Sequence, residues 1–336
     1  MKASRFQPKA TGSTGIDRNR WAIVLAGGDG VRLRELSRFI NGDDRPKQFC
    51  TLLRSGNLVE TTRQRVKASV RAEHILYSLT ESHRRFFPGF LKDSPSQQVV
   101  QPCNRGTAPA ILSSLLEVAR RDPRALVAVL PCDHYFSDQR PFFESLERAF
   151  DLATSNSESV ILLGVPQLRV ESGYGWIETG ERMGGTGDAY RIDAFNEKPA
   201  QEMAEQLMRR GALVNTFAMV GNVHAFLELV AEMTPGLLRR FLLAQEAHGD
   251  SGKPKDLEFI YSAIGAVDFS SSILAPSSER LIAIRLDGVD WTDLGDPRRV
   301  IELILRMKIQ ERPDWFAEWQ DRKSELSLVS TEKHIK

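Results

Sequence analysis

Unbroken apolar runs alternate along this chain with segments whose apolar residues recur every three to four positions. Ala22–Ala26, Leu126–Leu130 and Val160–Val165 are continuous runs of the length expected for strands buried on both faces. His74–Leu79, Leu213–Asn222 and Leu281–Leu286 read as further strands, and the alternation from Tyr190 to Phe195 predicts one more. Helical spacing covers Leu58–Val70, Glu81–Leu91, Thr107–Arg121 and Pro141–Ala153, the last with Phe142, Leu146 and Phe150 on one face. Later helices are expected over Ala200–Arg210, Val223–Met233, Leu237–Ala247, Leu257–Ile264 and Pro297–Arg312. Thr107 suits an N-cap, and Pro109 sits in the first turn, where its missing N–H costs little.

Strand and helix alternating from Trp21 onward predict an α/β protein with a doubly wound, mostly parallel sheet. One domain is expected over residues 21–312, its first half at 21–165 and a second half of mixed character at 166–300. Residues 1–20 read as a mobile tail and 313–336 as an appendage. Met183–Gly187 reads as a hairpin tip and His248–Asp256 as a polar surface loop.

Composition narrows the function classes. Lys and Arg total 45 against 44 acidic residues, a net charge of +1, so no basic field argues for nucleic acid. Cys50, Cys103 and Cys132 lie far apart with no Cys-x-x-Cys spacing, which argues against disulfides or zinc and fits a reducing compartment. No apolar run approaches the roughly 20 residues needed to span a bilayer, and Met1–Arg20 has no apolar core of a leader. The expectation is a soluble, cytoplasmic protein with no membrane or nucleic-acid partner, self-association being left open.

The chemistry concentrates where strands end. Ala22–Ala26 empties into Gly27, Gly28, Asp29 and Gly30, where glycines let backbone N–H groups approach an anion. Arg32 and Lys47, the latter after Pro46, add two cations suited to a triphosphate. No Gly-Lys-Ser/Thr follows, so this is not a P-loop, and Leu33 occupies the third glycine position of a dinucleotide fingerprint, which disfavours a nicotinamide oxidoreductase. Asp133 stands just past the apolar run Leu126–Leu130, where open α/β sheets place ligands.

The ordered set Gly27-Gly28-x-Gly30-x-Arg32-Leu33, followed by Pro46-Lys47-Gln48-Phe49, resembles the signature of sugar-1-phosphate nucleotidylyltransferases. The Pro-Lys-Gln-Phe ending is most similar to the mannose-1-phosphate guanylyltransferases. Leu-Pro-x-Asp-His at 130–134, Gly-Tyr-Gly-Trp-Ile at 173–177, Glu-Lys-Pro at 197–199 and Trp-Thr-Asp-x-Gly at 291–295 extend the likeness over most of Trp21–Val300. The resemblance implies a Rossmann-like nucleotidyltransferase fold with a mixed sugar-binding half, and transfer of a nucleotide from GTP, or another NTP, to a sugar-1-phosphate. It implies Mg2+ on Asp133 and Asp293, with Arg32, Lys47 and Asp133 as the catalytic charges. Leu25, Ala26, Gly27, Gly28, Gly30, Val31, Gln101, Gly106 and Thr107 would line the nucleotide, Gln101 facing the base edge. Gly175, Glu197, Lys198 and Asn215 would hold the sugar phosphate, with Tyr174 and Trp176 available to stack on the ring.

Several positions depart from that pattern. Val31 replaces a small or hydroxyl residue, Glu35 a proline and Gly106 an asparagine, while Val214, Thr216 and Phe217 replace the surroundings of the sugar-contacting asparagine. Phe217 stands where the family has glycine. The alternative that these changes raise is a non-catalytic relative that binds nucleotide sugar as a regulatory module.

Overall fold

The computed structural model describes residues 17–322 apart from 55, 168, 185–186 and 249–253. The expected tail before residue 17, the chain after 322 and the centres of the Met183–Gly187 and His248–Asp256 loops lie outside the described residues. The strands, in chain order, are β1 (Arg20–Leu25), β2 (Ile75–Thr80), β3 (Gln98–Gln101), β4 (Leu126–Pro131), β5 (His134–Phe136) and β6 (Val160–Pro166). β7 (Gly175–Arg182), β8 (Ala189–Glu197), β9 (Leu213–Asn222), β10 (Leu281–Arg285) and β11 (Trp291–Asp293) follow. Nine of these form one sheet in the order β3-β2-β1-β4-β9-β6-β10-β8-β7, and β5 with β11 makes a separate two-stranded ribbon.

The first four strands of that order are parallel, as the apolar runs predict. Beyond β4 the expectation of a mostly parallel sheet fails. β9 is antiparallel to both β4 and β6, and β8 is antiparallel to β7 and β10, so the sheet is mixed. An apolar run buried on both faces looks the same in either direction, so hydrophobicity carries no information on strand polarity.

The two faces sort by alternate residues. Ala22, Val24, Leu126, Ala128 and Leu130 enter one core with Phe142, Leu146 and Phe150 of the helix Gln139–Ser155. Trp21, Ile23, Val127 and Val129 enter the other with Ile111, Leu112 and Leu115 of the helix Thr107–Arg121. This double burial, with side chains alternating at period two, fixes register: a one-residue slip would exchange the two faces.

Some helices differ from expectation. Glu81–Leu91 is a 3-10 turn over Glu81–Phe86 and a short helix Gly89–Lys92, separated at Phe87 and Pro88. Leu58–Val70 ends at Val66, and the helix opened by Pro297 ends at Arg306. A third core joins Leu33, Leu36, Cys50 and Leu52 to Leu294, Val300, Leu303, Phe316 and Trp319. The stretch after Pro313, expected as an appendage, is helical at 315–322 and seats Phe316 and Trp319 in that core. Trp315 Nε1 also donates to the Leu52 carbonyl at 3.2 Å. No helix among the described residues is long and apolar enough to cross a membrane.

β9 carries a backbone irregularity. β6 borders it along its length, but with a register shift between Leu162 and Gly164. On β9, Met219–Asn222 pairs with β4 while Leu213 and Val214 pair with β7. Between them Phe217 has φ 59°, its N–H donating to Asn215 Oδ1 at 3.0 Å. A left-handed conformation costs a non-glycine residue about 1–2 kcal/mol, which gives a physical reason for the glycine that the resembling family has there. Here the ring packs edge-on against Phe269, 6.4 Å between centroids.

Candidate active site

The loop after β1 has its carbonyls tied back. Gln48 Nε2 donates to the carbonyls of Ala26 and Gly28, at 2.8 Å each, and Thr80 Oγ1 donates to that of Gly27 at 2.8 Å. A Cβ on Gly27 would lie 2.9 Å from Thr80 Oγ1 and 3.1 Å from Gln101 Nε2, so this close approach requires glycine. Gly30 takes φ 58° against the Lys47 backbone. With the carbonyls engaged, the N–H groups of Gly27, Gly28, Asp29 and Gly30 have no protein acceptor among the described residues. Consecutive free N–H groups make an anion cradle. Gln48, buried inside the Pro-Lys-Gln-Phe segment, is a functional support that sequence reasoning misses.

Two cations meet this loop in different states. Arg32 is exposed and has no hydrogen bond or ion pair among the described residues, while Val31 beside it is 62% exposed. Lys47 Nζ lies 2.5 Å from Asp133 Oδ2 and donates to the Leu294 carbonyl at 3.0 Å. Asp133 is 23% exposed, at the end of β4. Burial pushes its carboxyl up, but the Lys47 ammonium and the neighbouring His134 outweigh that and hold it at about 2.

The β5–β11 ribbon brings Asp293 to this point. Asp293 pairs with His134 across the ribbon, and the Leu294 N–H donates to the Asp133 carbonyl at 3.0 Å. Asp293 Oδ1 accepts from Tyr174 OH at 2.7 Å and Arg299 NH1 at 2.6 Å. Burial and the Asp293 charge together push the Tyr174 phenol far above its ordinary range, so it remains a donor. Arg299 also binds Glu171 Oε2 at 3.0 Å and stands 4.4 Å over the Tyr174 ring. Neither residue was assigned this role from sequence, because nothing local to Arg299 points to partners at 171 and 174.

Arg299 therefore fastens the 171–174 turn to the acidic strand, and a stability change should report it. Arg299→Ala is expected to destabilise the fold by about 3 kcal/mol, the scale for breaking a half-buried or buried ion pair. Arg299→Lys should recover only part, since an ammonium lacks the fork that reaches two carboxylates. Chemical denaturation checks both, and an unchanged midpoint for the alanine variant would remove the fastening role.

On the sugar side, Glu197 ends β8 and Lys198 follows with φ 45°, its N–H donating to the Tyr174 carbonyl at 3.0 Å. Lys198 Nζ pairs with Glu197 Oε1 at 2.9 Å, which raises the lysine's pKa. Glu197 Oε2 is buried with no hydrogen-bond partner among the described residues. A Cβ on Gly175 would stand 2.7 Å from that oxygen and from Phe195 Cζ, so glycine leaves Glu197 its place. Asn215 is buried and uses Oδ1 on Phe217, while its Nδ2 has no partner among the described residues. Tyr174 joins this group to the acidic pair through its carbonyl and hydroxyl.

Three expectations need correction here. Trp176 is fully buried and donates from Nε1 to the Glu171 carbonyl at 2.8 Å, so it offers no face to a sugar. Gln101, expected at the base edge, is 2% exposed. Its Oε1 accepts from Tyr261 OH at 3.0 Å and its Nε2 donates to Ser78 Oγ at 3.2 Å, so it supports the loop from beneath. Thr107 is the first helical residue and Gly106 the N-cap. Thr107 Oγ1 instead donates to Asp268 Oδ2 at 3.1 Å and accepts from the Phe269 N–H at 2.7 Å. The helix start is satisfied by the Val267 carbonyl, which accepts from the Ala108 N–H at 3.0 Å.

The glycine loop, with Leu25 and Ala26 at its root and Arg32 just beyond it, thus meets Lys47, which pairs with Asp133; the ribbon brings Asp293 beside Asp133, and Tyr174 links Asp293 to the Glu197–Lys198 turn. The "Nucleotidyl transferase" family profile matches residues 21–308. The "Mannose-1-phosphate guanylyltransferase 2" of Escherichia coli O157:H7 is 28% identical over 307 residues, 85% of this chain and 60% of the relative. The "Xanthan biosynthesis protein XanB" of Xanthomonas campestris is 30% identical over 280 residues, 81% of this chain and 57% of the relative. A solved structure from Thermus thermophilus, described as a mannose-1-phosphate geranyltransferase, matches with a TM-score of 0.72 at 27% identity, covering 86% of this chain and 80% of that one. The chain spans less than two thirds of the length of the two curated relatives it matches. With a profile that runs from β1 to past the helix Pro297–Arg306, the chain belongs to the nucleotidyl transferase family.

Proposed function

We propose that this protein joins a nucleoside triphosphate to a sugar-1-phosphate, releasing pyrophosphate, with GTP and mannose-1-phosphate as the pair. The observation that carries the reading is the Gly27–Gly30 loop, whose N–H groups meet no acceptor among the described residues while its carbonyls are tied back. The assignment of guanine and mannose rests on the Pro46–Phe49 segment and on the names of the relatives.

In this reaction an oxygen of the sugar phosphate attacks the α-phosphorus as the bond to the β-phosphate oxygen breaks. The attacking oxygen is already anionic, so positioning and charge stabilisation carry the catalysis. The loop N–H groups and Arg32, unpaired among the described residues, take the charge gathering on pyrophosphate. Lys47 is held against Asp133 at the loop's edge. Lys198 neutralises the incoming phosphate, while Glu197 Oε2 and Asn215 Nδ2, an acceptor and a donor without partners among the described residues, suit sugar hydroxyls.

Mg2+ is part of the proposal. Asp133 Oδ1 and Asp293 Oδ2 are the carboxylate oxygens left outside the Lys47 and Arg299 pairs. No group of three or more acidic, His or Cys side chains among the described residues is placed to hold a metal alone. One or two carboxylates completed by phosphate oxygens is the donor set Mg2+ takes. Bound there, the ion supplies Lewis-acid neutralisation of the phosphates.

The test is pyrophosphate release with mannose-1-phosphate against a panel of triphosphates, with and without Mg2+. Release with GTP supports the full reading, and release with a different triphosphate or sugar-1-phosphate corrects the substrates alone. Silence across the panel, with nucleotide sugar still binding, would replace the enzyme by a regulatory module.

A further inference from the structure

Asp29 is an anomaly in an anion-binding loop, since a carboxylate among free N–H groups repels a triphosphate. Its side chain is turned aside and held by both oxygens. His83 Nε2 lies 3.1 Å from Oδ1, and Asn104 Nδ2 donates to Oδ2 at 2.9 Å. The two partners come from different directions. His83 is 6% exposed, in the turn after β2, with its ring edge against Phe49. Asn104 sits on the segment leading to the helix Thr107–Arg121, and its own Oδ1 accepts from the Gly106 N–H at 2.9 Å.

We infer that Asp29 is a positioning residue, a latch that fastens the phosphate loop to the 104–106 segment and so holds both sides of the nucleotide site in one arrangement. The inference rests on the nucleotide reading above. Gln48 and Thr80 tie the loop to the protein floor through backbone carbonyls, whereas Asp29 reaches sideways. Its bond to Asn104 is the one that couples the loop to the segment leading into the helix Thr107–Arg121, on the side of the site where the base would lie. Burial lowers the basicity of His83 while Asp29 opposes the fall, and the ring's Nδ1 is buried without a partner among the described residues. A histidine left half-satisfied in the interior is consistent with a ring kept for its one bond to Asp29.

A latch of this kind makes a prediction that simple charge does not. Removing a carboxylate from an anion site strengthens binding of every phosphate compound, whereas removing a latch weakens only ligands that span both loops. The experiment is equilibrium titration of wild type, Asp29→Ala, Asn104→Ala and the double variant with GTP, ATP and inorganic pyrophosphate. Hydrogen exchange is followed in the free proteins at the same time. Asp29→Ala should weaken triphosphate binding about tenfold, the worth of one charged hydrogen bond, and leave pyrophosphate binding equal or tighter. Asn104→Ala should match it, and the double variant should be no worse than the weaker single one. Exchange should rise in both the 27–31 and 103–107 segments of Asp29→Ala.

Unchanged triphosphate affinity, additive losses in the double variant, or exchange rising in only one segment would each overturn the latch. If the wild-type protein binds no triphosphate, the nucleotide reading falls and takes the latch's role in binding with it. The exchange data, needing no ligand, then separate that failure from an absence of coupling between the loops.

Discussion

Asp133→Asn is expected to cut pyrophosphate release by at least about 10²–10³-fold, the scale set by removing one preorganised electrostatic group from a transfer site, while the protein stays folded. The substitution keeps the size and polarity of a side chain that is 23% exposed, but removes the charge that pairs with Lys47. It also removes one of the two carboxylates proposed for Mg2+. Turnover within tenfold of wild type would sink the assignment.

The same variant has a signature in acid that does not depend on activity. The folded carboxyl sits at about 2, below its ordinary 3.8, so its contribution to stability is fully present above the ordinary value. That contribution is lost as pH falls through the folded value. The shift corresponds to about 2 kcal/mol. Between roughly pH 4 and 2 the wild-type protein should lose this increment and Asp133→Asn should not. Parallel acid titrations of the two that coincide would remove the ion pair from the account.

Gly106→Ala should be the most destabilising small substitution in the site. Gly106 has φ 86° and ψ −178°, a conformation reserved for glycine, at about 1–3 kcal/mol for any other residue. A Cβ there would stand only 2.4 Å from the Val267 carbonyl oxygen and 2.9 Å from its carbon, and forced overpacking adds about 1–3 kcal/mol. The Val267 backbone lies as a strap across the start of the helix Thr107–Arg121 and cannot yield freely, since its N–H donates to the Arg105 carbonyl and its carbonyl accepts from the Ala108 N–H. A loss of roughly 2–6 kcal/mol is expected from the two terms together, with weaker nucleotide binding as the Val267 segment lifts. Gly28→Ala, where a Cβ meets nothing within 4 Å, is the stability control. A Gly106→Ala midpoint close to that of the control would refute the strap.

This geometry also shows why a family asparagine is absent at 106: the strap occupies the room its side chain needs. What could be read from sequence was whatever is encoded locally. The apolar runs, the glycine loop, and Asp133 and Glu197 at strand ends all lie where their patterns indicate. Partners distant in the chain were not legible. Gln101 looked like a free amide until Tyr261, 160 residues later, claimed its oxygen. Thr107 looked like a cap until Asp268 and Phe269 took its hydroxyl. Trp176 looked like a platform beside glycines, but its place on β7 turns it into the core. In each case the residue type announces a capacity, and long-range topology decides who uses it.

The third core sets an order of events in the cell. Leu33 and Leu36, on the segment that follows the glycine loop, bury themselves against Leu303, Phe316 and Trp319. At ribosomal speeds of about 5–20 residues per second, those partners emerge roughly 15–60 s after Leu33. Throughout that interval Leu33 and Leu36 have only near neighbours in sequence, Cys50, Leu52 and Leu58, to pack on, so the flank of the glycine loop is translated early and completed late. A nascent chain arrested before residue 300 is thus a sheet with an unfinished catalytic end, and its exposed leucines make it a client for chaperones.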